Sequence, residues 1–176
     1  WYDEENMTLD YEVGSWEGIC ETGGETMSIS DVRAAEEGTE VTIQGVVTAA
    51  STVGNSSLGF VQDETGAIGV FAGDVESLSV GNEVEISGPL ASFRGLLQIS
   101  GDDVSVTVLN ESATVPDPMP LNDFSAENLE AMEGKLVSIA GLSTDTTGTF
   151  EGSTNYNVET ESGETLTLRF GDSNTL

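Results

Sequence analysis

Between residues 41 and 109 the chain reads as short runs of alternating apolar and polar residues broken at glycine: VTIQGVVTAA, LGFVQDETGAIGVFAG and VGNEVEISGPLASFRGLLQIS. Alternation of period two puts every second side chain on one face of an extended strand, so each run predicts a strand with one side in a core. In VTIQGVV, Val41, Ile43 and Val47 point inward, and Gly45 permits a bend sharp enough for one strand to serve both halves of a closed sheet. The next run predicts a hairpin with its turn at DETG, where Gly66 is free to take a positive φ. With Val61, Ile68 and Val70 facing inward, Phe60, Gln62 and Phe71 share the outer face. Residues 74–80 predict a single turn before the strand VGNEVEISG, which Pro89 stops; SFRG then turns the chain into a closing strand, LLQIS.

Upstream, SISDVRAAEEG predicts one helical turn capped by Ser30 and ended by Gly38. Five strands with a bent first strand and a hairpin of the second and third predict an all-β OB-fold, a five-stranded Greek-key barrel. The same runs resemble the OB-type modules of secreted multi-domain proteins from bacteria and archaea, many of which carry a nuclease or phosphatase domain of the endonuclease/exonuclease/phosphatase group. The resemblance covers residues 28–109, with QDETG and VGNEVEISG as its most specific pieces. It implies a fold and an extracellular setting. It transfers no active site, because in that family the chemistry belongs to a separate domain.

Residues 110–134 read as a connection. Pro116, Pro118 and Pro120 impose an extended, stiff course that holds its two ends apart, and SAENLEAME offers a short helix ending at Gly134. From residue 135 the pattern returns. VSIAG at 137–141 repeats VTIQG at 41–45, an offset of 96; ETESG at 159–163 repeats QDETG at 62–66, an offset of 97; LRFGD ending at Asp172 repeats VFAGD ending at Asp74, an offset of 98. Residues 135–176 therefore predict a second, incomplete OB-like half-barrel of three strands with an open edge. The first barrel, the N-terminal arm of the same or another chain, or residues of a longer polypeptide would cover that edge. Residues 1–27 form the arm, and in its alternating run MTLDYEV the side chains of Leu9, Tyr11 and Val13 lie on one face, as a strand added to an open edge requires. Donation to a neighbouring chain joins copies head to tail into a filament, whereas donation within the chain leaves a monomer.

Composition changes the picture through charge. The 176 residues hold 32 Asp and Glu against 4 Lys and Arg and no His, a formal net charge of -28. A hydrophobic share of 37% arranged periodically favours folding over disorder. So large a carboxylate excess keeps a folded surface hydrated where salt screens self-repulsion, which suits a secreted protein in a saline or marine setting. No window approaches the roughly 20 apolar residues of a membrane span, and nothing ahead of Trp1 reads as a signal peptide, so a mature, processed chain is expected. Cys20 is the single cysteine and forms no intrachain disulfide. Glycosylation sequons start at Asn6, Asn55 and Asn110, although a chain rich in Ser and Thr produces such triplets by chance.

The absence of His removes catalytic triads, Cys-His dyads and His-based metal sites, and no phosphate loop ends in the required Lys. No enzyme activity is expected. Calcium is the one cofactor the composition suits. Acidic clusters at 3–6, 63–66 and 101–103 offer oxygens, with Asp63, Glu64, Asp102 and Asp103 as ligands, but none has EF-hand spacing. Nucleic acid is the ligand the fold suggests, and Phe60, Gln62 and Phe71 on the outer face with Phe93 and Arg94 in the last turn are its candidate contacts. Electrostatics disfavours it, since phosphate binding draws on Lys and Arg. The leading expectation is thus a secreted structural or interaction module whose partner is itself or another extracellular protein. Its alternative is the accessory nucleic-acid-binding part of a secreted nuclease.

Overall fold

In a computed structural model of the protein, residues 25–53, 56–73 and 78–170 are described. The arm residues Leu9, Tyr11 and Val13, together with Asn6, Cys20, Asn55 and most of the expected turn at 74–80, lie outside them. In chain order the elements are β1 (Thr26–Met27), α1 (Ile29–Arg33), β2 (Glu40–Val53), β3 (Ser56–Gln62), β4 (Ala67–Ala72), β5 (Glu83–Phe93), β6 (Leu96–Ser100) and β7 (Ser105–Asn110). After these come β8 (Met119–Pro120), α2 (Ala126–Ala131), β9 (Val137–Ser138), β10 (Asn155–Glu159) and β11 (Thr165–Arg169).

The first unit is an OB-fold barrel. Its strands run β2-β3-β4-β6-β5, and β5 pairs back onto β2 to close the sheet. β4 and β6 are parallel and the other barrel pairs antiparallel. The 14-residue β2 serves both halves: its first part pairs with β5 up to Val46↔Glu83, and from Val46↔Gln62 onward it pairs with β3. Gly45 stands at that change of partner, where a β-carbon would lie 2.7 Å from the Gln62 carbonyl oxygen. Alternation does the rest. Val41, Ile43, Val47, Val61, Ile68, Val70, Val84, Ile86, Leu90 and Ile99 are buried together, and Ile29 and Val32 of α1 plug the same core.

Three local expectations are corrected. The cap of α1 is Ser28, whose hydroxyl accepts the Asp31 N–H; Ser30 lies inside the helix, and the N–H of Gly38 goes instead to the Leu90 carbonyl at 2.7 Å. Gly66 does not need a positive φ. A β-carbon there would sit 3.2 Å from Ile29 Cγ2, so the missing side chain lets α1 approach the hairpin turn. Pro89 does not end its strand, since β5 continues to Phe93. Leu90 donates to Thr39, so by alternation the Pro89 nitrogen faces the opposite edge. There the chain leaves the ladder between Leu90↔Ile99 and Ser87↔Ser105, and no donor is required.

The segment after the barrel is docked rather than held apart. Ala113 donates to the Gly81 carbonyl at 2.9 Å, and residues 133–136 reach back to β3 and β4. The elements that follow then repeat the first set. β8 lies parallel to β9 as β1 does to β2, and Ser125 caps α2 as Ser28 caps α1, an offset of 97. Ser143 bridges Glu159 where Val46 pairs with Gln62, again an offset of 97 on both sides. In the hairpin Val158 faces Leu166 where Val61 faces Ile68, offsets of 97 and 98. The correspondence therefore begins at β8, ahead of residue 135. A small core of Tyr156 and Val158 supports this unit, with Phe150 edge-on to Tyr156 at 4.7 Å and beside Phe170 at 5.1 Å.

Candidate functional site

The outer face of β3, β4 and β6 carries the residues that the alternation excluded from the core. Phe60 pairs across with Gly69, and Leu58 with Phe71, which makes the two rings diagonal neighbours on one face. Gly69 leaves a gap between Phe60 and the Leu96 and Gln98 side chains of β6, because a β-carbon there would stand 3.2 Å from Gln98 Cβ and 3.4 Å from Leu96 Cδ2. At the end of the same face β5 turns into β6 through Arg94 (φ 55) and Gly95 (φ 91), a two-residue turn of the kind that keeps the twist of a hairpin. Phe93 is 61% exposed at this turn, and the Arg94 guanidinium carbon lies 5.4 Å from its ring centroid. Phe60, Phe71, Phe93 and Arg94 are thus brought to one side of the barrel.

Gln62 is placed there too, but it is 8% exposed and its side-chain carbonyl already accepts the Leu136 N–H at 3.0 Å. Residues 133–137 lie along this face. Gly134 (φ +76) is close enough that a β-carbon would touch Phe60 Cδ1 at 3.3 Å, and a longer side chain there would lift the segment away. Arg33 fixes the near end: one guanidinium nitrogen meets Glu133 at 2.9 Å, and the other donates to the Ala67 carbonyl at 3.3 Å. A groove of about 480 Å3 is left between Thr48, Ala49, Phe60 and Leu96 on the barrel and Glu133, Gly134, Lys135, Leu136 and Val137 on the docked segment. Sequence reasoning missed the contributions of Thr48, Ala49, Leu96 and 133–137. Only the solitary lysine, Lys135, stood out in composition.

The acidic candidates are differently employed. Ile29 N–H donates to one Asp63 oxygen at 2.9 Å, while the Thr65 N–H and hydroxyl, both at 2.7 Å, and the Gly66 N–H at 2.8 Å donate to the other. Partial burial pushes the Asp63 pKa up, but these hydrogen bonds from Ile29, Thr65 and Gly66 together outweigh it and hold the carboxyl below the usual carboxylate range. Asp63 therefore ties α1 to the β3–β4 turn. Glu64, Asp102 and Asp103 are exposed, and among the described residues no group of three or more metal-binding side chains comes together. Asn110 is exposed at the end of β7, its side-chain oxygen accepting the Ser112 N–H at 3.0 Å.

Replacing Asp63 by Ala is expected to cost about 1–3 kcal/mol, because Ile29 and Gly66 lose their acceptor where the helix packs on the turn. A depressed folded-state pKa contributes stability that is present above the unfolded pKa and is lost as pH falls through the folded one. Urea unfolding between about pH 3 and pH 7 should show a shallower acid limb in Asp63→Ala than in the unaltered chain. Identical acid limbs would remove Asp63 from this anchoring role.

No helix among the described residues is long and apolar enough to cross a membrane. The strand-donation expectation rests on residues outside the described ones, and no observation supports it. No family model matches the chain. Over 111 residues, 58% of this chain, the sequence is 31% identical to endonuclease YhcR of Bacillus subtilis (strain 168), a match that spans 9% of that protein. Among solved structures the chain is similar to a murine DNA-binding protein bound to double-stranded DNA, with 21% identity and a TM-score of 0.43 over 49% of this chain and 49% of that one. It is also similar to the p204 HINb domain, at 20% identity and a TM-score of 0.42 over 48% and 47% of the two chains. A third likeness, to asparaginyl-tRNA synthetase from Pyrococcus horikoshii, has 18% identity and a TM-score of 0.44 over 53% of this chain and 25% of that one.

Proposed function

We propose that this chain is a non-catalytic OB-fold module that holds single-stranded nucleic acid beside the catalytic part of a secreted nuclease. The observation that carries this reading is the 31% identity over 111 residues to an endonuclease of which the matched stretch is 9%. A shared piece that small serves as a module within a larger protein, and an OB barrel without His in the chain fits a binding task rather than the hydrolytic one. The face described above supplies the chemistry. Phe60, Phe71 and the exposed Phe93 offer ring surfaces to unpaired bases, and Arg94 over Phe93 adds a cation to the platform.

The charge of -28 sets the conditions under which this works. Arg33 is engaged by Glu133, so Arg94 and Lys135 are the two bases near the face with no ion pair among the described residues. Two phosphate contacts give a logarithmic salt slope of roughly -1.4 for a single strand, far shallower than that of a basic nucleic-acid-binding protein. Calcium should strengthen binding by bridging carboxylates and phosphates. Titration of a fluorescent single-stranded oligonucleotide, with and without calcium and across salt, tests the reading. Saturable binding with a Kd of roughly 1–100 μM and that shallow slope is expected. Absence of binding in every condition overturns it.

A further inference from the structure

We infer that the groove between the barrel and residues 133–137 seats one nucleotide of the bound strand, its base against Phe60 and its phosphate at Lys135. The inference rests on the nucleic-acid reading and adds to it that the segment leading into the second unit completes the site. Shape is the first ground. The groove's walls are Ala49, Phe60, Leu96, Leu136 and Val137; the Thr48 hydroxyl donates to the Phe60 carbonyl at 3.3 Å, and Lys135 is the polar member with no ion pair among the described residues. Its volume of about 480 Å3 falls in the roughly 300–1,000 Å3 range of small-ligand sites, too small for a duplex and suited to a flat ring with a short polar appendage.

Charge is the second ground. The chain has 4 basic residues against 32 acidic ones, and of the four Lys135 lines this groove while Arg33 pairs with a carboxylate of its lining. Arg33 pairs with Glu133, the one carboxylate in the lining, at 2.9 Å and with the exposed Glu130 at 3.5 Å, and Arg94 lies over Phe93 in the β5–β6 turn. An anion entering this groove therefore meets a lysine, and a lining carboxylate whose charge is already paired. The third ground is an internal comparison. A groove of about 580 Å3 occupies the equivalent place in the second unit, where Asp145, Thr146 and Asn157 stand 97 residues after Thr48, Ala49 and Phe60. It is lined by Asp145 and Glu159, Asn157 replaces the ring, and Arg169 donates to Asn155 of its lining at 2.9 Å. The same architecture thus presents an apolar groove lined by Phe60 and Lys135 once and a polar one lined by two carboxylates once, and the first is the one that suits a nucleotide. Arg33 and Gln62 are positioning residues, since they hold the 133–137 segment through Glu133 and Leu136.

Fluorescence anisotropy of a labelled oligo-dT on the full chain, repeated across salt, tests this assignment. Phe60→Leu keeps an apolar side chain and removes the ring, and should weaken binding by about 5- to 150-fold. Lys135→Gln should weaken binding and also reduce the magnitude of the salt slope by about 0.7, the signature of one lost phosphate contact that a purely structural change does not produce. Asn157→Ala and Arg169→Gln, both in the second unit's hairpin, should bind as the unaltered chain does, and melting curves verify that each variant is folded. Binding by Lys135→Gln with an unchanged slope, or an equal loss from Asn157→Ala, overturns the inference while leaving the functional reading in place. No binding by the unaltered chain overturns the functional reading itself.

Discussion

Gly45→Ala should destabilise the barrel by about 3 kcal/mol and lower its melting temperature by roughly 6–12 °C. The added methyl would lie 2.7 Å from the Gln62 carbonyl oxygen, 2.8 Å from Val61 Cγ1 and 3.1 Å from the Gln62 carbonyl carbon. Two of these three atoms are backbone, so β3 must move away from β2 where β2 changes partners. That movement also carries Gln62, whose side chain receives the Leu136 N–H, so the variant should loosen the 133–137 segment as well as the core. Gly73→Ala is the matched control, because a β-carbon there meets nothing within 4 Å and its change in stability should be near zero. Urea unfolding followed by circular dichroism makes the comparison. Equal stabilities for the two variants would contradict the close crossing of β2 over β3.

Raising sodium chloride from about 10 mM to 1 M should raise the melting temperature by more than about 10 °C, because the screening length shrinks from about 30 Å to about 3 Å. With a net charge of -28, repulsion among carboxylates opposes compaction over the whole surface. The 4 bases relieve little of it against 32 carboxylates: Arg33 offsets charge at Glu130 and Glu133, and Arg169 bonds the neutral Asn155 Oδ1. At about 2–4 °C per kcal/mol for a chain of this size, a 10 °C rise corresponds to roughly 2.5–5 kcal/mol of relieved repulsion. Sulfate should raise stability further, since it adds surface exclusion to screening. A melting temperature that is flat or falling in sodium chloride would show that charge repulsion does not limit this fold.

The comparisons also reorder the two functional expectations. On charge alone a structural module ranked ahead of nucleic-acid binding. The stretch shared with an endonuclease favours the second, and the structure softens the electrostatic objection by placing Lys135 in one groove and pairing that groove's carboxylate, Glu133, with Arg33. A net charge sums over the molecule, whereas a phosphate responds to the few charges within a screening length of it.

Inward positions such as Val41, Ile43, Val61, Ile68 and Val70 were legible from period-two alternation, because which face a strand side chain occupies is a local property of the backbone. The repeat at offsets of 96 to 98 was legible for the same reason, and with it the hairpin that pairs Val158 with Leu166. The outer face of Phe60, Gln62 and Phe71 followed as the complement of the core. What covers that face was decided only by the path of the chain. Leu136 meets Gln62 across 74 residues of sequence and Arg33 meets Glu133 across 100, and neither pair carries a local pattern that announces its partner. Pro89 and Gly66 were misjudged on the same account. A proline stops a strand only if its missing N–H was needed, and a turn glycine needs a positive φ only if nothing else shapes the turn. Here the first depends on the chain leaving the opposite edge of β5, and the second on Asp63 and on how closely α1 approaches. Local periodicity determines strands and faces; partners, caps and the groove arise where segments far apart in sequence compete for the same donors, acceptors and space.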